Sequence, residues 1–474
     1  MSLKSRKIET LDGELMRRYI AVFLLAAVAV FGGLIAYVSL TYFPQTTQTA
    51  QQPREVTLVV ITRLAPDEGE ALRKIFLNSS VAREYGIKDV MFLKEDVSKW
   101  PIYAEEGRAD VFFIGGYSLY KDLCEKGYLK PITDRELIEI ISSLSVETYR
   151  LPNGSVCFVA AARTVFSYTI NSDFLKKYGL EPPRTWGDLL LPKYSIPLLY
   201  GESMASFPKP TKSTTSARTI QMILQKYGWE RGWVLLTIIG ANSYIVESSE
   251  RARDDVALGI AGLAPTVLVY GIRAGELSGG KAVFYPAQGE VLPDVSPVAV
   301  AKNSKNEREA IAFVKWLLSA EGQKALAELF YYLPYVKPEG TQLEGLYEAL
   351  SVNMFNYDPE DAALWERAVV YYFEAAVADP DANTILKRVW SLAVDLYTKG
   401  RLNEVELLEI AHRLGAPLTI SIGGESRVFS KSLAIELNKL VAEDPAFRSE
   451  FYDSVKAAAI ARYSAILSEL QSRT

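Results

Sequence analysis

Four hydroxyl residues, Ser213, Thr214, Thr215 and Ser216, stand directly before an apolar series at helical spacing (Ile220, Ile223, Leu224) that ends at Gly228. One Ser or Thr is enough to cap a helix, so the others are spare donors beside free backbone amides and the positive end of the helix dipole. Such a place suits an anion or a strongly polar oxygen. A cap followed by ordinary loop is the plainer alternative. Further candidates sit where apolar runs end: Arg63 follows Thr57 to Thr62, and Gly115 and Gly116 follow Asp110 to Ile114. In sheets covered by helices, ligands lie beyond the carboxyl ends of the strands, and glycine lets backbone approach them closely. A surface salt bridge for Arg63 and a tight turn for the glycines are the competing readings. The loop Glu247 to Arg251 adds Ser249 and Glu250 near the same place, unless it is simply the solvated first turn of a helix.

Inventory removes other chemistries. The 474 residues include one histidine, His412, and two cysteines, Cys124 and Cys157. A His/Cys zinc site, a Ser-His-Asp triad and a Cys-His pair are therefore largely excluded, and no catalytic residue, metal ligand or cofactor is assigned. Whether the two cysteines pair is open. A formal charge of −5 leaves no basic footprint for nucleic acid. Asp358, Asp379 and Asp381 lie beside prolines and read as helix caps rather than metal ligands.

The elements that must position these residues begin at Val56. Short β-branched runs alternate with helical spacing through Thr57–Thr62, Glu68–Phe76, Asp89–Leu93, Trp100–Glu106 and Asp110–Ile114, the pattern of a sheet with helices on both faces. Upstream, Tyr19 to Phe43 carries no charge over 25 residues, against roughly 20 needed to cross a bilayer core. Lys4, Arg6, Lys7, Arg17 and Arg18 precede it and the next basic residue is Arg54, which puts residues 1–18 in the cytoplasm and the bulk outside the cell. Residues 44–55, uncharged until Arg54 and bounded by Pro44 and Pro53, read as a tether.

A longer order of pieces carries a resemblance. The extended Val156–Ile170 is followed by NSDFLKKYGL, by PPRTWGDLLLPKYSIPLLY and by the Pro-x-Lys-Ser-Thr helix start at Pro210. KYGWERGWVLLTIIGANSYIVESSERARDDVALGIAGL and YPAQGEVLPDVSPVAVAKNSKNEREAIAFVKWLLSAEGQKALAE come next. Over about Val56 to Tyr335 this resembles the family 1 extracellular solute-binding proteins of ABC transporters, in the branch of ferric-ion and other small-anion receptors. The resemblance implies an α/β, two-lobed periplasmic-binding-protein type II fold. Lobe 1 would comprise 56–160 and 288–336, lobe 2 161–287, with crossings near Phe158–Ala162 and Pro286–Val291. An N-terminal transmembrane helix (19–43) would precede them and an all-helical extension (337–474) follow. It also implies a small-molecule ligand held between the lobes and an ABC permease as partner. The ATPase would be a separate polypeptide, because the chain has no GxxxxGK[ST]. One departure is that the segment Gly262–Leu263–Ala264–Pro265 lacks the adjacent tyrosines with which the ferric branch holds iron, and the pair Tyr331–Tyr332 lies elsewhere. Iron is thereby disfavoured.

The expectation is a membrane-anchored, single-pass surface receptor rather than an enzyme. Its rival is a surface hydrolase using a carboxylate pair drawn from Glu247, Glu250, Asp254 and Asp294. Protein sequenced from its native membrane is expected to retain Tyr19 to Phe43; a mature chain that begins after Phe43 contradicts the anchor.

Overall fold

The computed structural model describes residues 17–18, 21–22 and 55–473. The expected span and tether lie almost wholly outside them, and among the described residues no helix is long and apolar enough to cross a membrane.

From Val56 the chain builds one mixed sheet. Its strands are β1 (Val56–Thr62), β2 (Ile87–Lys94), β3 (Val111–Phe113), β4 (Thr148–Arg150) and β5 (Val156–Asn171). They are followed by β6 (Ser203–Pro208), β7 (Ser243–Val246), β8 (Ala261–Val267), β9 (Ala282–Tyr285) and β10 (Leu292–Val300). The spatial order is β2-β1-β3-β10-β5-β8-β6-β7, with β4 and β9 also on β5. β1 pairs parallel with β2 and β3, and β6 pairs parallel with β7 and β8. Each parallel group has its helical crossovers, as the alternation of apolar runs and helical spacing requires.

Two strands hold the groups together. β5 and β10 run antiparallel, paired from Phe166↔Leu292 to Val159↔Val298 with a register shift between Ser296 and Pro297. The buried residues separate around this pair. One core takes Val56–Ala162 and Val298–Phe330, the other begins at Phe166 and takes β6, the helices Thr214–Tyr227 and Trp229–Ala241, and Leu292. Each strand thus leaves one core and enters the other at Arg163–Val165 and Pro293–Val295. The return crossing is β10 itself, a few residues beyond the Pro286–Val291 stretch expected from sequence.

Cys124 and Cys157 form a disulfide with a Cα–Cα distance of 6.1 Å, joining the helix Tyr117–Glu125 to β5. Such bonds persist in oxidising compartments, which suits a chain working outside the cytoplasm.

The C-terminal residues belong to the second core. Buried side chains from Ala362 to Leu470 pack with Trp233, Ile238 and Phe207 in one continuous cluster. The contact is close: a Cβ at Gly415 would lie 2.3 Å from Val234 Cα, so the helix Glu404–Gly415 touches the backbone of the helix Trp229–Ala241. The region is not all helical. β11 (Thr419–Ile422) and β12 (Glu425–Val428) form a hairpin through Gly423 and Gly424, whose φ values of 58° and 82° are those of a two-residue hairpin turn. Asp444 caps a new helix at Pro445, so the chain from Lys431 to Gln471 forms two helices, Lys431–Glu443 and Pro445–Gln471.

Asp358 and Asp379 cap helices, as their place before proline implies. Asp379 is 6% exposed. Burial would push its carboxyl up, but Lys456, Tyr452 and the amides of Ala382 and Asp381 outweigh burial and hold it below the usual carboxylate range. A depressed carboxylate contributes stability that is present above its unfolded pKa and lost as pH falls through its folded value. Asp379→Asn is therefore expected to lower unfolding free energy by roughly 1–2 kcal/mol at neutral pH, and by less as the wild-type carboxylate becomes protonated in acid. Urea titrations at pH 7 and at about pH 3 read the difference; equal losses at both contradict it.

Candidate ligand cleft

At the crossing of β5 and β10 lies a cavity of about 510 Å³. Tyr117 from the first lobe, Arg163 and Asp294 from the crossing strands, and Phe355 and Tyr357 from the chain after the helix Glu344–Val352 line it. Arg163 is the one charged residue of a largely buried strand, and it is the charge that this strand carries into the gap between the cores. Its Nε donates to Glu147 Oε1 at 2.8 Å and its guanidinium lies 4.3 Å from the centre of the Tyr335 ring. Tyr335 in turn donates to Glu147 Oε2. The guanidinium is thus held flat, while its Nη groups make no hydrogen bond among the described residues.

A second arginine stands behind the cavity wall. Arg218, in the second turn of the helix Thr214–Tyr227, brings Nε to 3.3 Å from Asp294 Oδ2, an ion pair without hydrogen-bond alignment. Its Nη1 donates to Gln221 Oε1 at 2.9 Å and to the Tyr357 hydroxyl at 3.1 Å. Both charges are largely removed from water, with side chains 15% and 19% exposed. Burial pushes the Asp294 carboxyl up against the opposing pull of Arg218, and pushes the Tyr357 hydroxyl up likewise. Tyr117 is pushed up to about 12, by burial first and by Glu360 after it, so it is a neutral hydrogen-bonding group at physiological pH.

None of the ligand-binding residues expected from the sequence lines this cavity; of the residues singled out there, Asp294 does. Ser213 caps its helix, accepting from Ser216 N at 3.2 Å, and its hydroxyl meets that of Ser249 at 2.6 Å. The expected loop-to-loop proximity of those two serines is thus present. Ser216 is fully buried and its hydroxyl donates to Pro208 O at 2.7 Å, so that hydroxyl is turned into the protein and is not a spare donor. Thr215 is buried and Thr214 exposed. Glu250 accepts from Tyr270 at 2.5 Å. Arg63 is exposed at the end of β1. Gly115 has a packing reason, because a Cβ there would meet the Tyr120 ring at 2.9 Å; a Cβ at Gly116, the residue before Tyr117, would meet nothing within 4 Å.

Arg163, Arg218 and Tyr357 are the site residues that sequence reasoning misses. The signal for Arg163 was a lone charge inside a buried strand, an arrangement that requires a partner or a purpose. The carboxylates proposed for hydrolysis are engaged separately: Glu247 by Lys209, Glu250 by Tyr270, Asp254 by Arg253 and Asp294 by Arg218. Tyr270 and Tyr285 are likewise apart in their contacts, the first on Glu250 and the second stacked on Tyr168 at 5.6 Å.

Two lobes joined by crossing strands, with a cavity at the join that holds a few charged and hydroxyl groups, define the class of two-lobed solute-binding proteins. The chain belongs to the bacterial extracellular solute-binding protein family, whose profile matches residues 108–357, more than half of its length. A relative from Salmonella typhimurium, the phosphoglycerate transport regulatory protein PgtC, is 30% identical over 205 residues, which are 42% of this chain and 49% of that protein. The chain thus spans about half the length of the curated relatives it matches. Iron-bound HitA from Pseudomonas aeruginosa shares the fold at 22% identity and a TM-score of 0.50, over 66% of this chain and 99% of HitA. Apo ferric ion-binding protein A from Pasteurella haemolytica does so at 17% identity and a TM-score of 0.52, over 67% of this chain and 96% of that one. The family and these neighbours are binding proteins, and none supports the hydrolase.

Because Asp294 has Arg218 as its close cationic partner, Arg218→Met is expected to destabilise the protein by as much as about 3 kcal/mol. Combining it with Asp294→Leu should restore much of the loss, since the double variant leaves no buried unpaired charge. Chemical denaturation of the three variants measures this; a double variant no more stable than Arg218→Met contradicts it.

Proposed function

We propose that the protein is an extracellular receptor that captures a small anionic solute between its two lobes and delivers it to an ABC permease served by a separate ATPase. The observation that carries this reading is Arg163, which lines a largely apolar cavity at the crossing of the lobes and whose Nη groups make no hydrogen bond among the described residues. A guanidinium fixed through Nε and stacked on a ring retains the geometry to hold a carboxylate or phosphate oxygen pair. Around it, Thr214 and the amides of the Ser213 helix start, with Ser249 and Glu250, form the second-lobe rim, and Arg63 with Gly115 and Gly116 the first-lobe rim. Ser213, Thr215 and Ser216 act by shaping that rim. The ligand is held without being turned over, so the chain is a receptor and not an enzyme.

A phosphorylated short-chain acid offers the oxygen pair that the Arg163 guanidinium can take, and the likeness to a phosphoglycerate transport protein supports this class. The uncharged stretch Tyr19–Phe43 anchors the receptor in the cell membrane with its bulk outside. The lobes are about 56–162 with 296–336 and about 166–292, a few residues beyond the expected bounds of 160/161 and 287/288, and 337–474 is an extension carried on the second lobe.

Calorimetry with 3-phosphoglycerate, on the chain from Glu55 onward, tests the reading. One charge-assisted bond to a desolvated oxygen contributes roughly 1.5–3 kcal/mol, so Arg163→Ala should weaken binding at least about tenfold and Arg63→Ala should weaken it less. Binding to the wild type that Arg163→Ala leaves unchanged removes Arg163 from the site; absence of any binding removes the substrate class.

A further inference from the structure

A second cavity, of about 630 Å³, lies on the seam between the second lobe and the C-terminal helices. Ser203 at the start of β6 and Tyr244 in β7 form one wall, and Lys387 and Arg388 from the helix Pro380–Thr398 form another, with Leu467 of the last helix at its edge. It is separate from the crossing of β5 and β10, and none of its lining residues is shared with the cleft.

Its charges are unevenly satisfied. Of the lining carboxylates, Glu202 is bound by Lys177 and by the Tyr178 hydroxyl at 2.8 Å, and Asp395 by Lys399 at 2.7 Å. The cations have no such partners: neither Lys387 nor Arg388 makes an ion pair among the described residues. Lys387 has only a hydrogen bond from Nζ to Ser203 Oγ at 3.2 Å and a place 5.0 Å from the centre of the Tyr244 ring. Burial alone lowers its pKa to about 8, since no neighbouring carboxylate offsets the cost of removing the ammonium from water. A half-buried lysine without a counter-ion, beside a hydroxyl and a second free cation, lacks the one component that would stabilise it.

We propose that this seam binds a small oxyanion, a phosphoryl or carboxylate group, between Lys387 and Arg388. The ammonium supplies the point charge, Arg388 closes on the anion from the next position of the helix, and the hydroxyls of Ser203 and Tyr244 lie within the same cavity. Because one wall belongs to the second lobe and the other to the C-terminal helices, an anion there ties the two together. This inference does not depend on what the cleft binds.

Site-resolved acetylation of the full chain tests it. The protein is pulsed at pH 8 with the neutral reagent N-hydroxysuccinimide acetate, and modification is read peptide by peptide, with the exposed Lys439 as internal reference. Inorganic phosphate and sodium acetate are each compared with sodium chloride at equal ionic strength. An anion on Lys387 raises its pKa and removes free amine, so acetylation at Lys387 should slow at least about threefold while Lys439 is unchanged. Protection by phosphate alone assigns a phosphoryl ligand, by acetate alone a carboxylate, and by both an oxyanion of either kind. Arg388→Gln, a surface change, should reduce the protection. Equal rates at Lys387 in all three salts, or protection that Arg388→Gln leaves intact, overturn the proposal.

Discussion

The antiparallel pairing of β5 with β10 is the constraint on which the rest of the structure depends. Each strand is buried in one core at one end and in the other core at the other, so the ladder from Val159↔Val298 to Phe166↔Leu292 is what both lobes share. Between the cores the strands are no longer covered on both faces. It is there that Arg163 and Asp294 occur, charges that neither core would accept without a partner. Each is offset by a residue brought from elsewhere: Glu147 for Arg163, and Arg218 of the second-lobe helix for Asp294. The cavity and the charges at it are therefore a consequence of where the two strands pass from one core to the other.

The C-terminal helices alter the balance of the two halves. They do not form a core of their own but enlarge that of the second lobe, through contacts as close as Gly415 on Val234 and Trp229 on Phe429 at 5.6 Å. The tie between the first lobe and the chain after Tyr357, Lys121 to Glu360 at 3.1 Å, is solvent-exposed on both sides. Such a pair contributes at most about 1 kcal/mol.

Local rules made much of this legible. The strand runs from Thr57 to Ile170, the cap at Ser213 and the Asp-Pro helix starts at Asp358 and Asp379 each follow from a few neighbouring residues, and the order of those pieces was enough to indicate the two-lobed fold. The hairpin at β11 and β12 was present in the sequence as Gly423–Gly424 between alternating residues, but it is short and stands among helices. The cleft residues were harder. Arg218 lies 76 positions before Asp294 in the chain and Glu147 is 16 from Arg163, so their pairing is a property of topology and not of spacing. The hydroxyl run shows the opposite failure: its chemistry is visible locally, yet Ser216 turns its hydroxyl inward because the loop at Pro208 needs a donor, which no local rule discloses.

The central claim is that two lobes joined through β5 and β10 close on a ligand at Arg163. Small-angle X-ray scattering of the chain from Glu55 onward, with and without 3-phosphoglycerate at a concentration that calorimetry shows to be saturating, tests it most directly. A fall in the radius of gyration on saturation, absent in Arg163→Ala under the same conditions, is the predicted result. An unchanged radius of gyration in the saturated wild type would contradict the account.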